Sequence, residues 1–108
     1  EIRYAAEFNH DFAKLKGKAG HSSEARLLLE LIQRATARLL ENREAGKKIP
    51  RKLWPKEFIQ KHDVTNLWKY NLDSYWRLIY TIQGTEAAFF LIYLEWMDHK
   101  EYERRFKY

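Results

Sequence analysis

Two neighbouring segments alternate aromatic or aliphatic residues with other residues, and this pattern constrains the fold more than any other feature of the chain. The alternating residues are Trp68, Tyr70 and Leu72 in the first segment and Trp76, Leu78 and Tyr80 in the second. A period of two predicts strands that bury one face. Both sets can share the buried face only if the loop between the strands has an odd number of residues.

A loop of three residues, 73–75, gives this register and also determines what lies on the opposite face. It places Asn71 directly across from Arg77, with Lys69 two residues further along the same strand. We therefore expect two cations, Lys69 and Arg77, to converge on an exposed face of the sheet.

The rest of the chain predicts an α+β fold. We expect a strand over residues 2–8, a short helix over 9–18, and a long helix that Ser22 or Ser23 caps and that ends before Gly46. Three strands follow as an antiparallel meander, at residues 66–72, 76–82 and 88–97. An N-terminal strand, a helical hairpin and this meander would form one twisted sheet, and 108 residues fit a single domain, 1–108.

The net charge of +5 is concentrated in one segment, residues 47–62. Outside this segment basic and acidic residues are equal in number, so the segment carries the whole excess. Such a concentration is typical of phosphate binding, whereas the alternative is a solvated loop that aids solubility. Pro50 and Pro55 limit the segment to irregular structure or one or two helical turns. Its basic residues are Lys47, Lys48, Arg51, Lys52, Lys56 and Lys61, against the single acid Glu57.

Several classes of function are excluded by what the sequence lacks. There is no cysteine, so disulfides, a thiol nucleophile and a zinc–thiolate site are excluded, and the four histidines have no metal-ligand spacing. No nucleotide-binding or hydrolase motif is present. We expect no metal and no small-molecule cofactor. Because no apolar stretch is long enough for a membrane span or a signal core, we also expect a cytoplasmic protein without membrane contact.

The residues after the last predicted strand combine an imidazole, a phenol and several cations. His99 would lie at the rim of the sheet, where its near-neutral pKa suits proton transfer, or it is an ordinary exposed loop histidine. Tyr102 and Phe106 are spaced i, i+4 and would pack a last helical turn against the sheet.

Three stretches together resemble the RelE/ParE superfamily of toxins from type II toxin–antitoxin systems. The strongest is Trp76-Arg77-Leu78-Ile79-Tyr80, which is similar to the family's aromatic-Arg-x-Ile-Tyr pattern; the others are residues 66–72 and Asp98-His99-Lys100-Glu101-Tyr102. In this superfamily, RelE-like members cut messenger RNA without a metal, and ParE-like members inhibit DNA gyrase on a similar scaffold.

The resemblance to RelE-like members implies a catalytic role for four residues. Arg77 would hold the scissile phosphate, Lys69 would add positive charge, His99 would transfer protons, and Tyr102 would stack on a base, although the His-Lys-Glu-Tyr spacing is shorter than in many relatives. Asn71 stands where a second basic residue is often found. Glu95, on the last predicted strand, would be an acid or base in the manner of the glutamate of some relatives. The residues expected to bind RNA are Lys47, Lys48, Arg51, Lys52, Lys56 and Asn71.

The leading hypothesis is therefore a RelE-like endoribonuclease, an mRNA interferase that inhibits translation. In its reaction a ribose 2′-hydroxyl of messenger RNA on the ribosome attacks the adjacent phosphorus and expels the 5′-oxygen, which leaves a 2′,3′-cyclic phosphate. A cognate antitoxin blocks the enzyme. One alternative is a ParE-like toxin that inhibits gyrase and leaves RNA intact. The other is a catalytically silent domain that binds nucleic acid or an antitoxin, which Asn71 and the shortened tail favour.

Overall fold

The computed structural model describes residues 1–106 and has the α+β class that the sequence predicts. A mixed sheet of five strands in the order β1-β5-β4-β3-β2 has helices on both faces. β1 is parallel to β5, and the other neighbouring strands are antiparallel. The strands are β1 (Ile2–Tyr4), β2 (Lys47–Lys48), β3 (Trp68–Asn71), β4 (Trp76–Gly84) and β5 (Phe89–Asp98). The helices are α1 (Ala6–Lys18), α2 (Ser23–Glu41), α3 (Lys56–His62) and α4 (His99–Arg105), with a 3₁₀ turn at Arg51–Leu53.

The β3–β4 hairpin has the predicted register. Asn71 pairs with Arg77, and the Leu72 N–H donates to the Trp76 carbonyl at 3.0 Å. Asp73 shapes the turn, because its Oδ1 accepts the backbone N–H groups of Tyr75 at 2.8 Å and Trp76 at 2.7 Å. A short acidic side chain that bonds its own backbone two and three residues on is a common way to fix a tight turn.

The aromatic face of the hairpin is buried, as predicted, and the helices that cover it are α1 and α2. Leu78 and Tyr80 are fully buried there with Phe8, Ile32 and Tyr93. Ser22 caps α2 by accepting the Ala25 N–H at 3.2 Å. This core explains why the two amphipathic helices form a hairpin on one side of the sheet.

The N-terminal strand is shorter than predicted, and the first helix is longer. β1 ends at Tyr4 and α1 begins at Ala6, so the helix starts three residues earlier than predicted and includes Phe8. As a helical residue Phe8 lies one turn before Phe12, and its ring is 5.1 Å from that of Trp96. Packing of both phenyl rings in the core overrides the weak alternation of residues 2–8.

The opposite face of the sheet is largely covered, so the expectation of an exposed face is wrong for most of it. Ile79 and Met97 are buried there beneath Phe58 of α3 and Phe106 at the end of α4. The basic segment and the C-terminal tail supply this second apolar layer, because the central residues on this face are too hydrophobic to remain in water. The β3 margin of this face stays partly open, with Lys69 and Arg77 half-buried and Asn71 exposed.

Candidate functional site

The β3 margin of the sheet face that α3 and α4 cover brings together three polar residues, as the register predicts: Lys69, Asn71 and Arg77. Asn71 and Arg77 are directly opposed, Asn71 is exposed, and the two cations are half-buried. The Arg77 Nη1 donates to the carbonyl oxygens of Asp73 at 3.0 Å and Trp76 at 3.2 Å. These bonds hold the guanidinium against its own turn, and among residues 1–106 its other nitrogens, Nε and Nη2, have no hydrogen-bond acceptor.

His99 lies at the same end of the sheet, as the first residue of α4. Its backbone N–H donates to the Tyr75 carbonyl at 2.7 Å, which anchors α4 to the β3–β4 turn. The imidazole lies edge-on to the Tyr75 ring at 5.5 Å, and its Nδ1 is 3.9 Å from the Glu103 carboxylate. The side chain is 33% exposed, so the imidazole is accessible to solvent at this rim.

Tyr102 is buried, which supports the packing interpretation of the C-terminal pair. The ring is 4% exposed and stacks on Phe106 at 4.8 Å between centroids. The Lys69 Nζ lies 5.0 Å from the centre of the Tyr102 ring, within the range of a cation–π interaction. A ring held in this way contributes to the core, and it would have to leave that core to stack on a nucleic-acid base.

The basic segment is divided among three structural elements. Lys47 and Lys48 form β2, Arg51 and Lys52 lie in the 3₁₀ turn, and Lys56 begins α3. All five side chains are exposed. Within residues 1–106, none of them has a carboxylate oxygen within 4.0 Å. β2 brings its two lysines beside Lys69 of β3, whereas Arg51 stacks over Trp54 at 4.9 Å.

Glu95 is the centre of an ion-pair network that the sequence did not predict. The β5 strand has a bulge, because Ile79 pairs with Glu95 and Tyr80 with Tyr93, leaving Leu94 unpaired. The Glu95 carboxylate contacts the Arg105 Nη1 at 2.8 Å and the His62 Nε2 at 3.0 Å. In the sequence, the only indication of this network was a single acidic residue on a predicted strand. Its partners, His62 and Arg105, come from α3 and α4.

This network determines the charge of the Glu95 carboxyl. Burial raises its pKa, but the hydrogen bonds from His62 and Arg105, with the charges of Arg105 and Lys61, outweigh burial and lower the pKa to about 2. A carboxylate that stays ionised, with both oxygens in hydrogen bonds, stabilises the packing of α3 and α4 on the sheet. Such a carboxylate is poorly suited to proton transfer.

Two further observations concern metals and membranes. Residues 1–106 contain no group of three or more His, Asp or Glu side chains arranged to hold a metal ion. Over the same residues, none of the helices combines the length and the hydrophobicity needed to cross a bilayer.

The α+β fold, with a helical hairpin on one face of an open five-stranded sheet, is consistent with the RelE-like fold expected from the sequence. The family model described as the ParE toxin of the type II toxin–antitoxin system, parDE, matches residues 2–93. The chain therefore belongs to the ParE toxin family, within the RelE/ParE superfamily, and this membership implies a cognate antitoxin. No curated protein and no solved structure matches the chain significantly.

The matched range runs from β1 into β5 and includes Lys69 and Arg77. His99 and Tyr102 follow it. The family match therefore says nothing about the proton-transfer and base-stacking roles that RelE-like members imply for these two residues.

Proposed function

We propose that this chain is a ParE-like toxin that acts in the cytoplasm by binding and inhibiting DNA gyrase, and that its antitoxin blocks this binding. The observation that carries the proposal is the ParE family match over residues 2–93. Inhibition by binding needs an accessible surface and no set of proton-transfer groups. The β3 margin, where Asn71 is exposed and Arg77 is half-buried, would provide such a surface.

The state of the other candidate catalytic groups also favours binding over cleavage. Tyr102 is buried in the apolar layer under α3 and α4, and Glu95 is an ion-paired carboxylate with a lowered pKa. Transesterification of RNA requires a base for the 2′-hydroxyl and an acid for the leaving oxygen. Among the residues singled out for this chemistry, His99 alone combines solvent access with a suitable side chain.

The second candidate function is the RelE-like endoribonuclease acting on messenger RNA at the ribosome. A specific observation favours it: Lys69 and Arg77 lie on one face, and both Arg77 and His99 bond the 73–75 turn. A guanidinium can stabilise charge on a phosphate and an imidazole can move a proton, so the two residues that bond this turn would supply two of the functions that the reaction needs.

Controlled expression in bacteria separates the two functions. We expect growth arrest with loss of negative supercoiling in a reporter plasmid and with intact messenger RNA. Arrest should persist in His99→Ala, because inhibition by binding requires no proton transfer. His21→Ala is the matched control, since it removes an exposed imidazole that lies between α1 and α2.

The opposite result identifies the nuclease. If expression fragments messenger RNA while plasmid topology is unchanged, and if both Arg77→Ala and His99→Ala restore growth, the gyrase proposal is wrong. Removing a general acid or base costs a nuclease roughly 100- to 10,000-fold in rate, which is enough to abolish arrest.

A further inference from the structure

Tyr75 is a large aromatic residue that the fold leaves exposed in the turn between β3 and β4. Its exposed fraction is 44%, and the turn adjoins the paired residues Asn71 and Arg77. Single exposed hydrophobic side chains are common on protein surfaces, so exposure alone assigns no role to this residue. Tyr75 is distinctive because several contacts hold its exposed ring in place.

Both the backbone and the side chain of Tyr75 are fixed. Its N–H donates to the Asp73 Oδ1 at 2.8 Å, and its carbonyl accepts the His99 N–H at 2.7 Å. The phenol donates to the Asp98 carboxylate at 3.4 Å, and the ring lies edge-on to Trp76 with 5.0 Å between the centroids. All four contacts can form in His99→Ala, because they use only the backbone of His99. A ring that is already ordered loses little conformational freedom when a partner covers it.

Arg77 supplies a second group that can anchor a partner at the same turn. Its Nη1 donates to the Asp73 carbonyl at 3.0 Å, so Asp73 orders both Tyr75 and the guanidinium. Among residues 1–106, the Arg77 Nε and Nη2 have no hydrogen-bond acceptor. Free guanidinium donors favour a carboxylate on the partner. Tyrosine and arginine are also among the residues that most often dominate the binding energy of protein interfaces.

The charges around the phenol favour a protein partner over a nucleic acid. The charge of Asp98 raises the pKa of Tyr75, and desolvation, the hydrogen bond to Asp98 and the charge of Glu24 raise it further. These two carboxylates make the potential at the ring negative, which repels phosphate groups. A protein surface can offer an apolar pocket to the ring and a single carboxylate to Arg77, and it therefore suits this mixture of charges better.

We propose that Tyr75 anchors the toxin to gyrase. Its ring enters an apolar pocket of the enzyme, and Arg77 pairs with a carboxylate beside that pocket. This inference rests on the proposed gyrase inhibition and deepens it, because it assigns the anchoring residue and the chemistry of the surface that receives it. The imidazole of His99 makes no contact with the enzyme in this arrangement.

The test measures the affinity of the purified chain for purified gyrase in the absence of DNA, by biolayer interferometry. Tyr75→Ala removes the ring, and Tyr75→Phe keeps the ring and removes the hydroxyl. Leu40→Ala is the matched control, because it truncates a hydrophobic side chain that is 55% exposed in the last turn of α2. Urea denaturation establishes that each variant is folded. Hydrogen exchange of the wild-type chain, with and without gyrase, adds a measurement that needs no variant.

We expect Tyr75→Ala to weaken binding about 30-fold, which is the loss typical of a residue that dominates an interface. Tyr75→Phe and Leu40→Ala should each stay within about fivefold of wild type, because the first keeps the ring and the second lies outside the contact. The toxin concentration that half-inhibits supercoiling should shift by the same factors. Gyrase should also slow hydrogen exchange at residues 73–77.

Four results would overturn the proposal. They are wild-type affinity in Tyr75→Ala, a loss in Tyr75→Phe or Leu40→Ala as large as in Tyr75→Ala, unchanged exchange at residues 73–77, and an equal loss in Tyr75→Ala of affinity for a labelled DNA oligonucleotide. The last result would identify a nucleic-acid site. In each case gyrase inhibition stands if the wild-type chain still blocks supercoiling. If the wild-type chain neither binds gyrase nor blocks supercoiling, the proposed function is wrong as well.

Discussion

At the scale of single residues, the Glu95 carboxylate connects β5 with α3 and α4. It contacts His62 at 3.0 Å and Arg105 at 2.8 Å, and its side chain is only 15% exposed. Removing its charge leaves the partly buried Arg105 without its closest counter-ion, which is costly in a poorly hydrated site.

We expect Glu95→Gln to lower the free energy of unfolding at pH 7 by on the order of 3 kcal/mol. The pKa of Glu95 is lowered from 4.5 to about 2, so its contribution is complete above the ordinary value and is lost as the pH falls through about 2. Urea denaturation should therefore show the difference from wild type shrinking between these two values. Glu30→Gln, in an exposed pair with Arg34 at 4.0 Å, should show little difference at any pH.

Gly46 is a position where a single methyl group should disturb the site. An added Cβ would lie 2.7 Å from the Lys69 carbonyl oxygen and 2.7 Å from the Tyr80 hydroxyl. The same hydroxyl accepts the Gly46 N–H at 3.2 Å and donates to the Arg43 carbonyl at 2.9 Å. The clash therefore involves backbone of β3 and a fully buried tyrosine.

We expect Gly46→Ala to destabilise the protein by about 1–3 kcal/mol. Gly17→Ala is the control with the opposite sign: Gly17 is inside α1 with no atom near the added methyl, and the change should stabilise by about 0.5–1 kcal/mol. Urea denaturation midpoints measure both. Equal effects of the two substitutions would contradict the close approach at Gly46.

At the scale of elements, the β3–β4 turn positions both candidate polar groups. The Asp73 carbonyl accepts from Arg77, and the Tyr75 carbonyl accepts from the backbone of His99. The Asp73 side chain in turn accepts two backbone N–H groups of the turn. The conformation of this short loop thus determines where the guanidinium and the start of α4 lie.

We expect Asp73→Ala to lower the free energy of unfolding by about 1–3 kcal/mol, because a charged acceptor of two backbone bonds is lost. Asp73→Asn keeps the Oδ1 acceptor and should retain most of the stability. Thermal unfolding of both variants gives the comparison. A loss of stability in Asp73→Asn as large as that in Asp73→Ala would show that the negative charge of Asp73, and not its hydrogen bonds to the turn, stabilises the protein.

The hairpin and α2 could be predicted because their signals are local. A period of two fixes the faces of β3 and β4, and the parity of the loop fixes their register. The helical spacing of residues 28–39 similarly identifies the buried side of α2. The juxtaposition of Lys69, Asn71 and Arg77 follows from the register alone.

Other features depend on contacts between distant parts of the chain and could not be predicted. β2 has only two residues, too few for any period, and it forms by pairing with β3. The Glu95 network requires a bulge in β5 and the arrival of two helices on the same face. A last helical turn at Tyr102 and Phe106 was expected, but the local signal for the start of α4 was missed. Asp98 caps α4 by accepting the Glu101 N–H at 2.8 Å, and an acid followed three residues later by Glu resembles a capping box.

At the scale of the whole molecule, the sheet separates two different surfaces. One face carries α1 and α2 over the larger core, and the other carries α3 and α4 over a smaller core. The β3 margin of the smaller core bears Lys69 and Arg77, neither of which has a carboxylate oxygen within 4.0 Å among residues 1–106. The family match spans most of this architecture and ends within β5, before α4. The toxin class thus rests on the part of the chain that builds the sheet and the cationic margin.

The most direct test of the account is a supercoiling assay with purified gyrase, relaxed plasmid and the purified chain. We predict inhibition of supercoiling that increases with toxin concentration, is unchanged in His99→Ala, and is reversed by the cognate antitoxin. Full supercoiling activity at a large molar excess of folded toxin, together with cleavage of messenger RNA by the same preparation on ribosomes, would contradict it.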